Sequence, residues 1–236
     1  MQIVEILGPP GAGKSTLAKR LVDELAARDL TVLWTQDYLR RKTSKMSRRP
    51  PRISQLRVLR DVLGFLPHMY APYRSGTHLR EIEWFRLIKS AYRHAIPYRA
   101  FIDAGQPCSI LIAEPGWCMR FANGCLYSKR LPNDATIRRF VKWAPEPALT
   151  VGLSVTSDVA LYRLGKRRRG MPHRMRQLPE AQWPQVIERG SQIANIICDT
   201  VMENGGAVVR GDVSEPGDMQ HVIRRAMQEL LSENTA

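Results

Sequence analysis

The chain has few cysteines, and their spacing is not that of a metal or redox site. Cys108, Cys118, Cys125 and Cys198 include no Cys-x-x-Cys pair. The five histidines also lack the spacing of metal ligands. These absences argue against a zinc site and against a disulfide framework. We therefore expect reduced thiols that are mostly buried.

Long apolar runs are absent too. No run approaches the roughly 20 residues that a membrane-spanning helix requires, and the N-terminus enters an apolar strand without the features of a signal peptide. We therefore expect a soluble, cytoplasmic protein with no transmembrane segment. The 236 residues, 44% of them hydrophobic, suffice for a continuous core, and no linker divides them. The sequence thus predicts a single domain over residues 1–236 and leaves both a monomer and a homodimer open.

Acidic residues are scarce relative to basic ones. The chain has 36 Lys and Arg against 22 Asp and Glu, which gives a formal net charge of +14. Nine basic residues and no acid lie between Arg40 and Arg60, and a second acid-free cluster spans residues 163–176. This balance indicates an anionic partner, such as a phosphorylated metabolite, a nucleic acid or an acidic membrane surface.

A glycine-rich loop directly follows the first apolar stretch. The segment Gly8–Thr16 reads Gly-Pro-Pro-Gly-Ala-Gly-Lys-Ser-Thr and has the spacing G-x-x-x-x-G-K-[ST]. Between a strand and a helix, this pattern binds nucleotide phosphates through backbone N–H groups, and glycine allows the close approach. Lys14 reaches the terminal phosphates, and Ser15 offers a hydroxyl to Mg²⁺. The predicted nucleotide-binding residues of the loop are Gly8, Gly11, Ala12, Gly13, Lys14, Ser15 and Thr16.

Apolar periodicity predicts strands that alternate with helices, the first helix running from the loop to about residue 28. Such alternation gives a parallel sheet with helices on both faces, a three-layer α/β sandwich. Because ligands bind at the carboxyl ends of such strands, Asp37, Glu114 and the segment after Leu153 should surround one cleft with the loop. The predicted strands are residues 3–7, 31–35, 109–113, 149–153 and 207–209.

The stretch 38–104 has no convincing strand and reads as a mainly helical insertion. Prolines punctuate it, and because proline disrupts helices we expect them to divide it into pieces. The prolines concerned are Pro50, Pro51, Pro67, Pro72 and Pro97.

This order of elements resembles the P-loop small-molecule kinases, most closely the thymidylate-kinase-like branch of the nucleoside monophosphate kinases. The likeness covers nearly the whole chain. Its specific parts are Gly8–Thr16, the proline-flanked strand at 144–153, and Asp158 to Arg163 followed by Arg167. The resemblance implies a P-loop NTPase fold, ATP and Mg²⁺ as cofactors, and an arginine-rich lid at 158–178.

The substrate side departs from thymidylate kinase itself. That family has Glu-Pro-Gly after the second strand, whereas here Gln36-Asp37-Tyr38 ends the second strand and Glu114-Pro115-Gly116 follows the third. We therefore expect the insertion at 38–104 to form the acceptor side, with an acceptor that the resemblance does not name.

Phosphoryl transfer asks a protein mainly for positioning and charge neutralisation. Lys14, Mg²⁺ and lid arginines would supply both. Arg163 and Arg167 are four residues apart, so on one helix face both would reach the γ-phosphate in a closed lid. The alternative is a solvated basic face.

Two carboxylates are candidates for the acceptor and metal chemistry. Glu114 follows the third strand, where it would hold Mg²⁺ or position water, unless it caps the loop or pairs with Arg120. Asp37 ends the second strand, where it would accept a proton from a substrate hydroxyl or cap the next helix. Whether Asp37 or Glu114 is the base stays open.

The substrate-binding candidates are Arg40, Arg41, Trp117 and Arg120. The first two would face an anionic acceptor if the basic stretch packs over the cleft, and otherwise form an exposed basic loop. The indole of Trp117 neighbours Glu114, although packing is the commoner role of such a side chain. In the family, the loop after the fifth strand lies near the adenine, which makes Asp212 a further nucleotide-binding candidate.

Three functions fit these features. The first is an ATP-dependent kinase that phosphorylates a small anionic metabolite, such as a nucleotide, nucleoside or sugar-type acceptor. The second is a kinase that acts on polynucleotide ends, suggested by the basic clusters but disfavoured because few aromatic residues interleave them. The third is a nucleotide-dependent switch or accessory protein without kinase activity, suggested because Ala113 occupies the position where the third strand usually ends in aspartate.

Overall fold

A computed structural model gives the architecture of the protein. It describes residues 2–37, 52–74, 81–104, 109–167, 170–215 and 217–232. Arg40, Arg41 and Cys108 therefore lie outside the described residues.

Five strands form one parallel sheet in the order β2-β3-β1-β4-β5. The central strand β1 pairs with β3 on one side and β4 on the other, so that Val4 lies opposite both Ile112 and Leu149. These apolar residues are buried, as expected for strands covered on both faces. The strands are β1 (Gln2–Leu7), β2 (Thr31–Trp34), β3 (Ser109–Ala113), β4 (Leu149–Ser154) and β5 (Ala207–Asp212).

Helices cover both faces of the sheet. The helices α1 and α8 pack together on one face, and α3, α4 and α7 lie against the strands on the other. The result is a three-layer α/β sandwich, as the sequence predicts. The helices are α1 (Lys14–Ala26), α2 (Arg52–Arg74), α3 (Glu81–Ala104), α4 (Trp117–Cys125), α5 (Asp134–Trp143), α6 (Ser157–Gly165), α7 (Trp183–Glu203) and α8 (Asp218–Ser232).

The prediction that prolines divide the insertion into pieces is wrong for three of them. Helix α2 continues through Pro67 and Pro72, and α3 continues through Pro97. The buried side chains of α2, among them Phe65 and Met69, join the main core on either side of a proline. Tertiary packing of this face offsets the lost backbone hydrogen bonds, which local pattern cannot reveal.

An aromatic cluster joins helix α2 of the insertion to helices α4 and α5. The ring of Phe65 lies 5.3 Å from that of Trp117 and 5.8 Å from that of Phe140, centroid to centroid. Phe140 stacks on Phe121 at 4.2 Å. Because these rings belong to α2, α4 and α5, the cluster fixes the insertion beside the carboxyl end of β3, where α4 begins.

Three cysteines confirm the expected thiol state. Cys118, Cys125 and Cys198 are free and buried. Burial raises the pKa of each thiol, to about 12 for Cys198, so the protonated form predominates at neutral pH. Within the described ranges, no helix is both long and apolar enough to cross a membrane.

Candidate functional site

The glycine loop is shaped by backbone contacts that only glycine permits. Gly8, Gly11 and Gly13 have φ angles of 142°, 88° and 81°, which other residues rarely adopt. A β-carbon at Gly8 would lie 2.6 Å from the carbonyl oxygen of Leu153, and one at Gly11 would lie 2.7 Å from that of Ala160. The loop is thus seated against the end of β4 and against α6.

Helix α7 supports the same loop from another side. Gly190 lies so close to the loop that a β-carbon there would be 2.8 Å from Cα of Pro9. Gly13 directly precedes α1, and its left-handed conformation starts that helix at Lys14. The N-terminus of α1 therefore points at the interior of the loop, where a helix dipole favours phosphate.

Lys14 is turned back onto the loop. Its Nζ donates to the carbonyl oxygens of Gly8 at 2.8 Å and Pro9 at 2.7 Å. The pKa of Lys14 is lowered to about 8, chiefly by burial and also by the charge of Arg167, while the charge of Glu114 opposes both. The ammonium is therefore mainly charged at neutral pH, and it lies within the field of Arg167.

Glu114 is buried where three segments of the chain meet. One carboxylate oxygen accepts from Ser15 Oγ at 3.3 Å, and the other accepts from Gln36 Nε2. The hydroxyl of Thr35 bonds both the backbone N–H and the carbonyl of Glu114, at 3.2 and 3.1 Å. Burial raises the pKa of Glu114, against the charge of Lys14. The carboxylate thus joins the loop, the end of β2 and the end of β3.

Arg120 lies behind this carboxylate and is 6% exposed. It donates from Nη1 to Ser90 Oγ at 2.7 Å, and it makes no ion pair with Glu114. The pKa of Arg120 is lowered to about 9, chiefly by burial and also by the nearby charge of Arg174. Arg120 therefore belongs to the wall behind the site and does not line the large cavity described next.

A cavity of about 570 Å³ opens beside Lys14 and Glu114. Its wall is formed by the loop, the end of β3, α4, α3 and residues 172–174. The cationic side chains are Lys14, Arg86 and Arg174, and Glu114 supplies a carboxylate. Asn123 and Tyr127 add polar groups, and Pro10, Pro115, Met119, Pro172 and His173 complete the lining. Such a volume suits a small molecule with negative charge.

Trp117 does not reach this cavity. It is 4% exposed, packs edge-on against Tyr98 and Trp143, and lies tilted against Phe65. The burial of a large apolar ring outweighs its sequence proximity to Glu114. The structure therefore gives Trp117 a packing role and does not support its prediction as a substrate-binding residue.

Arg163 and Arg167, which were predicted to lie on one face of a helix, do not do so. Arg163 lies in the last turn of α6, but the helix ends at Gly165, so Arg167 lies beyond it and does not share a helix face with Arg163. Glycine weakens a helix at this point. Arg167 nevertheless acts on Lys14 electrostatically, which puts it near the loop.

Arg174 is a cavity residue that the sequence analysis did not single out. It precedes a short 3₁₀ helix whose first residue, Met175, is fully buried. The indole N–H of Trp183 donates to the Met175 carbonyl at 2.8 Å. These contacts fix the backbone beside Arg174. The acid-free cluster at 163–176 predicted an anion-binding role for its arginines, but it did not indicate which arginine lines the cavity.

Asp37 and Asp212 both lie at carboxyl ends of strands. Residues 35–37 are already helical, so Asp37 does not occupy the capping position before a helix. Asp212 is in register with Ser154 at the edge of the sheet and accepts from the backbone N–H of Ser214 at 2.9 Å. It shapes the turn that follows β5.

Glu5 is a buried carboxylate that the sequence analysis missed. It lies in the middle of β1, is 1% exposed, and accepts from the backbone N–H of Met119 at 3.0 Å. Gly116 passes so close that a β-carbon there would be 2.5 Å from the Glu5 carboxyl carbon. A charged residue inside an otherwise apolar central strand was the available signal. Glu5 supports the turn that presents Glu114.

Comparisons with known proteins give a distant likeness. No protein-family model matches the chain, and the search of curated proteins found no match. Among solved structures, it is similar to shikimate kinase from Acinetobacter baumannii in complex with shikimate. Sequence identity is 15%, the match covers 99% of this chain and 94% of that chain, and the TM-score is 0.40. A likeness this distant does not bear on the reaction of this chain.

The pKa of Glu5 generates a prediction about stability. Burial raises this pKa from 4.5 to about 7, so the folded protein binds more protons than the unfolded chain between these values. The free energy of unfolding therefore contains a contribution that falls as pH rises through this window. Glu5→Gln cannot titrate, so the variant should gain stability relative to wild type by up to about 3 kcal/mol from pH 4.5 to 7.

Urea denaturation of both proteins at several pH values measures this difference. Glu24→Gln, on the exposed side of α1, controls for the loss of one carboxylate. A difference between Glu5→Gln and wild type that stays constant from pH 4 to pH 8 would contradict the raised pKa.

Proposed function

We propose that the protein is an ATP-dependent phosphotransferase whose acceptor is a small anionic molecule bound in the cavity beside Lys14. The observation that carries the proposal is the position of this cavity, which opens directly between the glycine loop and the cations Arg86 and Arg174. A donor phosphate in the loop and an acceptor in the cavity would share the wall formed by Lys14 and Glu114.

The loop residues would hold ATP. Positive φ angles at Gly8, Gly11 and Gly13 leave the backbone open to phosphate oxygens. Lys14 would exchange its two carbonyl contacts for phosphate oxygens, a small movement because its Nζ already lies inside the loop. Arg167 would add positive charge from the lid side, where its field already reaches Lys14.

The residues present fit Mg²⁺. The hydroxyl of Ser15 and the carboxylate of Glu114 are hard oxygen donors 3.3 Å apart, at the mouth of the loop. Within the described ranges, no cluster of three or more His, Cys, Asp or Glu side chains competes as a metal site. Magnesium would neutralise phosphate charge and orient the terminal phosphoryl group.

Asp37 is the better candidate for the acceptor base. Both carboxylate oxygens of Glu114 already accept hydrogen bonds, from Ser15 and Gln36, which suits positioning more than proton abstraction. Asp37 follows Gln36 in the helical residues 35–37, directly after β2. It would accept the proton of the attacking hydroxyl as the new O–P bond forms and ADP leaves.

Two other functions differ from the proposed one in the acceptor that would be phosphorylated. A kinase for polynucleotide ends would phosphorylate a 5′-hydroxyl oligonucleotide, and its affinity for that substrate would fall steeply with salt. A nucleotide-dependent switch would bind ATP without turnover on any acceptor. The cavity volume of about 570 Å³ is that of a small-molecule site, which favours the proposed function over both.

Loss of Lys14 should abolish transfer. We expect Lys14→Ala to lower phosphoryl transfer by at least about 10²-fold, because the ammonium is the buried cation of the loop. Transfer from radiolabelled ATP to pools of phosphorylated sugars, nucleotides and hydroxy acids measures this effect. Lys19→Ala, on the exposed face of α1, is the matched control and should retain activity. A Lys14→Ala variant with wild-type turnover would refute the site.

Replacing a cationic side chain of the cavity with a neutral one should weaken binding of the acceptor and leave binding of ATP almost unchanged. For an acceptor found by this screen, we expect Arg174→Gln to raise KM by about 10-fold or more, since a charge-assisted hydrogen bond is lost. The affinity for ATP, measured by calorimetry, should change little. Arg176→Gln, in the same basic cluster, is the control. An unchanged acceptor KM in Arg174→Gln would show that the anion binds elsewhere.

Substitution of the two carboxylates should separate their roles. Asp37→Asn should lower kcat by about 10²-fold or more with little change in the Mg²⁺ requirement, because it removes a base. Glu114→Gln should instead raise the Mg²⁺ concentration needed for half-maximal rate. Titration of Mg²⁺ at saturating ATP distinguishes them, and the reverse pattern would assign the base to Glu114.

A further inference from the structure

Helices α2 and α3 expose most of the large apolar side chains that the described part of the chain leaves in solvent. The two helices pack side by side, and their inner faces join the core. The exposed fractions are 69% for Leu56, 46% for Leu59, 54% for Leu63, 59% for Tyr70, 42% for Tyr73, 67% for Phe85 and 39% for Tyr92. Two other exposed side chains of this kind, Tyr162 and Met202, lie on other helices.

The exposed residues of α2 form a line along the helix, which we call the outer stripe: Leu56, Leu59, Leu63, Tyr70 and Tyr73. Their spacings of three, four, seven and three residues keep them on one side of an α-helix. The stripe is separate from the inner face of α2, whose Val58, Val62, Phe65 and Met69 are buried. A helix on a globular domain needs one apolar face to pack on its core, and Leu56, Leu59 and Leu63 add apolar surface beyond that need.

The charges that accompany these apolar side chains are positive. The side chains of Arg57 and Arg60 on α2 are 50% and 73% exposed, and Lys89 and Arg93 on α3 are exposed as well. Asp61 and Asp103, in contrast, are less than one-fifth exposed. Asp103 pairs with Arg57 at 2.8 Å, and Asp61 pairs with Arg99 and lies 3.8 Å from Arg60, so Lys89 and Arg93 of α3 add positive charge beyond these pairs. The outward face of the pair therefore offers apolar and tyrosine side chains among cations.

We propose that this face docks on the surface of an anionic phospholipid bilayer. Leucine and aromatic side chains enter the boundary between headgroups and acyl chains, while lysine and arginine bind anionic headgroups. The net charge of +14 draws the protein to such a surface. A second copy of the chain would bring the same positive charge to the interface, and a nucleic acid would leave the leucines unused.

Vesicle flotation tests the proposal. The full chain is mixed with vesicles of phosphatidylcholine alone or with about 30 mol% phosphatidylserine, at about 0.15 M salt. Wild type should float with the anionic vesicles and not with the neutral ones. The variant Leu59→Gln with Leu63→Gln keeps every charge and removes the centre of the outer stripe. It should bind at least about 10-fold more weakly.

The matched control is Tyr162→Gln with Met202→Gln, which removes two exposed apolar residues elsewhere and should bind like wild type. Circular dichroism and calorimetry with ADP check that each variant is folded. Equal flotation of wild type and the stripe variant would overturn the proposal, because net charge alone would explain binding. No flotation of wild type would also overturn it. In that case, a concentration-dependent dimer that the stripe variant loses would identify a second copy as the occupant.

Discussion

The site depends on the burial of one carboxylate among groups that can satisfy it. Glu114 emerges from β3 and is bonded by Ser15 of the loop, by Gln36, and through its backbone by Thr35. A buried charge left without such partners would be strongly unfavourable. These partners come from the glycine loop and from the segment that follows β2. Moving either one away from β3 would leave the buried carboxylate without hydrogen bonds, so the need to satisfy Glu114 holds β2, β3 and the loop together.

The same region holds several titratable groups away from water, and their charges oppose one another. Burial raises the pKa of Glu5 and Glu114 and lowers that of Lys14 and Arg120. The anionic and cationic members thus reduce one another's penalties, while Arg167 and Arg174 tip the total towards positive. An arrangement of this kind is prepared for added negative charge, since each phosphate or carboxylate that enters relieves repulsion among the cations.

Features that depend on neighbouring residues could be predicted from the sequence, whereas features that depend on contacts between distant residues could not. The loop and the apolar strand β3 depend on local sequence, so motif and run length were sufficient. The continuity of α2 through Pro67 was not predictable, because it rests on packing by Phe65 and Met69 against residues distant in the chain. Glu5 and Arg174 were missed for a related reason, since their roles arise only when α4 and residues 172–177 fold back over the sheet. Arg40 and Arg41 stay predictions.

Helix α7 carries none of the groups assigned to the proposed reaction, yet it touches the glycine loop that we propose as the nucleotide site. Gly190 leaves room for Pro9 and for little else. A larger side chain at this position would displace the glycine loop, although none of the residues assigned to the reaction would be changed. Inactivating substitutions are therefore expected in α7, which supplies no reactive group, as well as in the cavity.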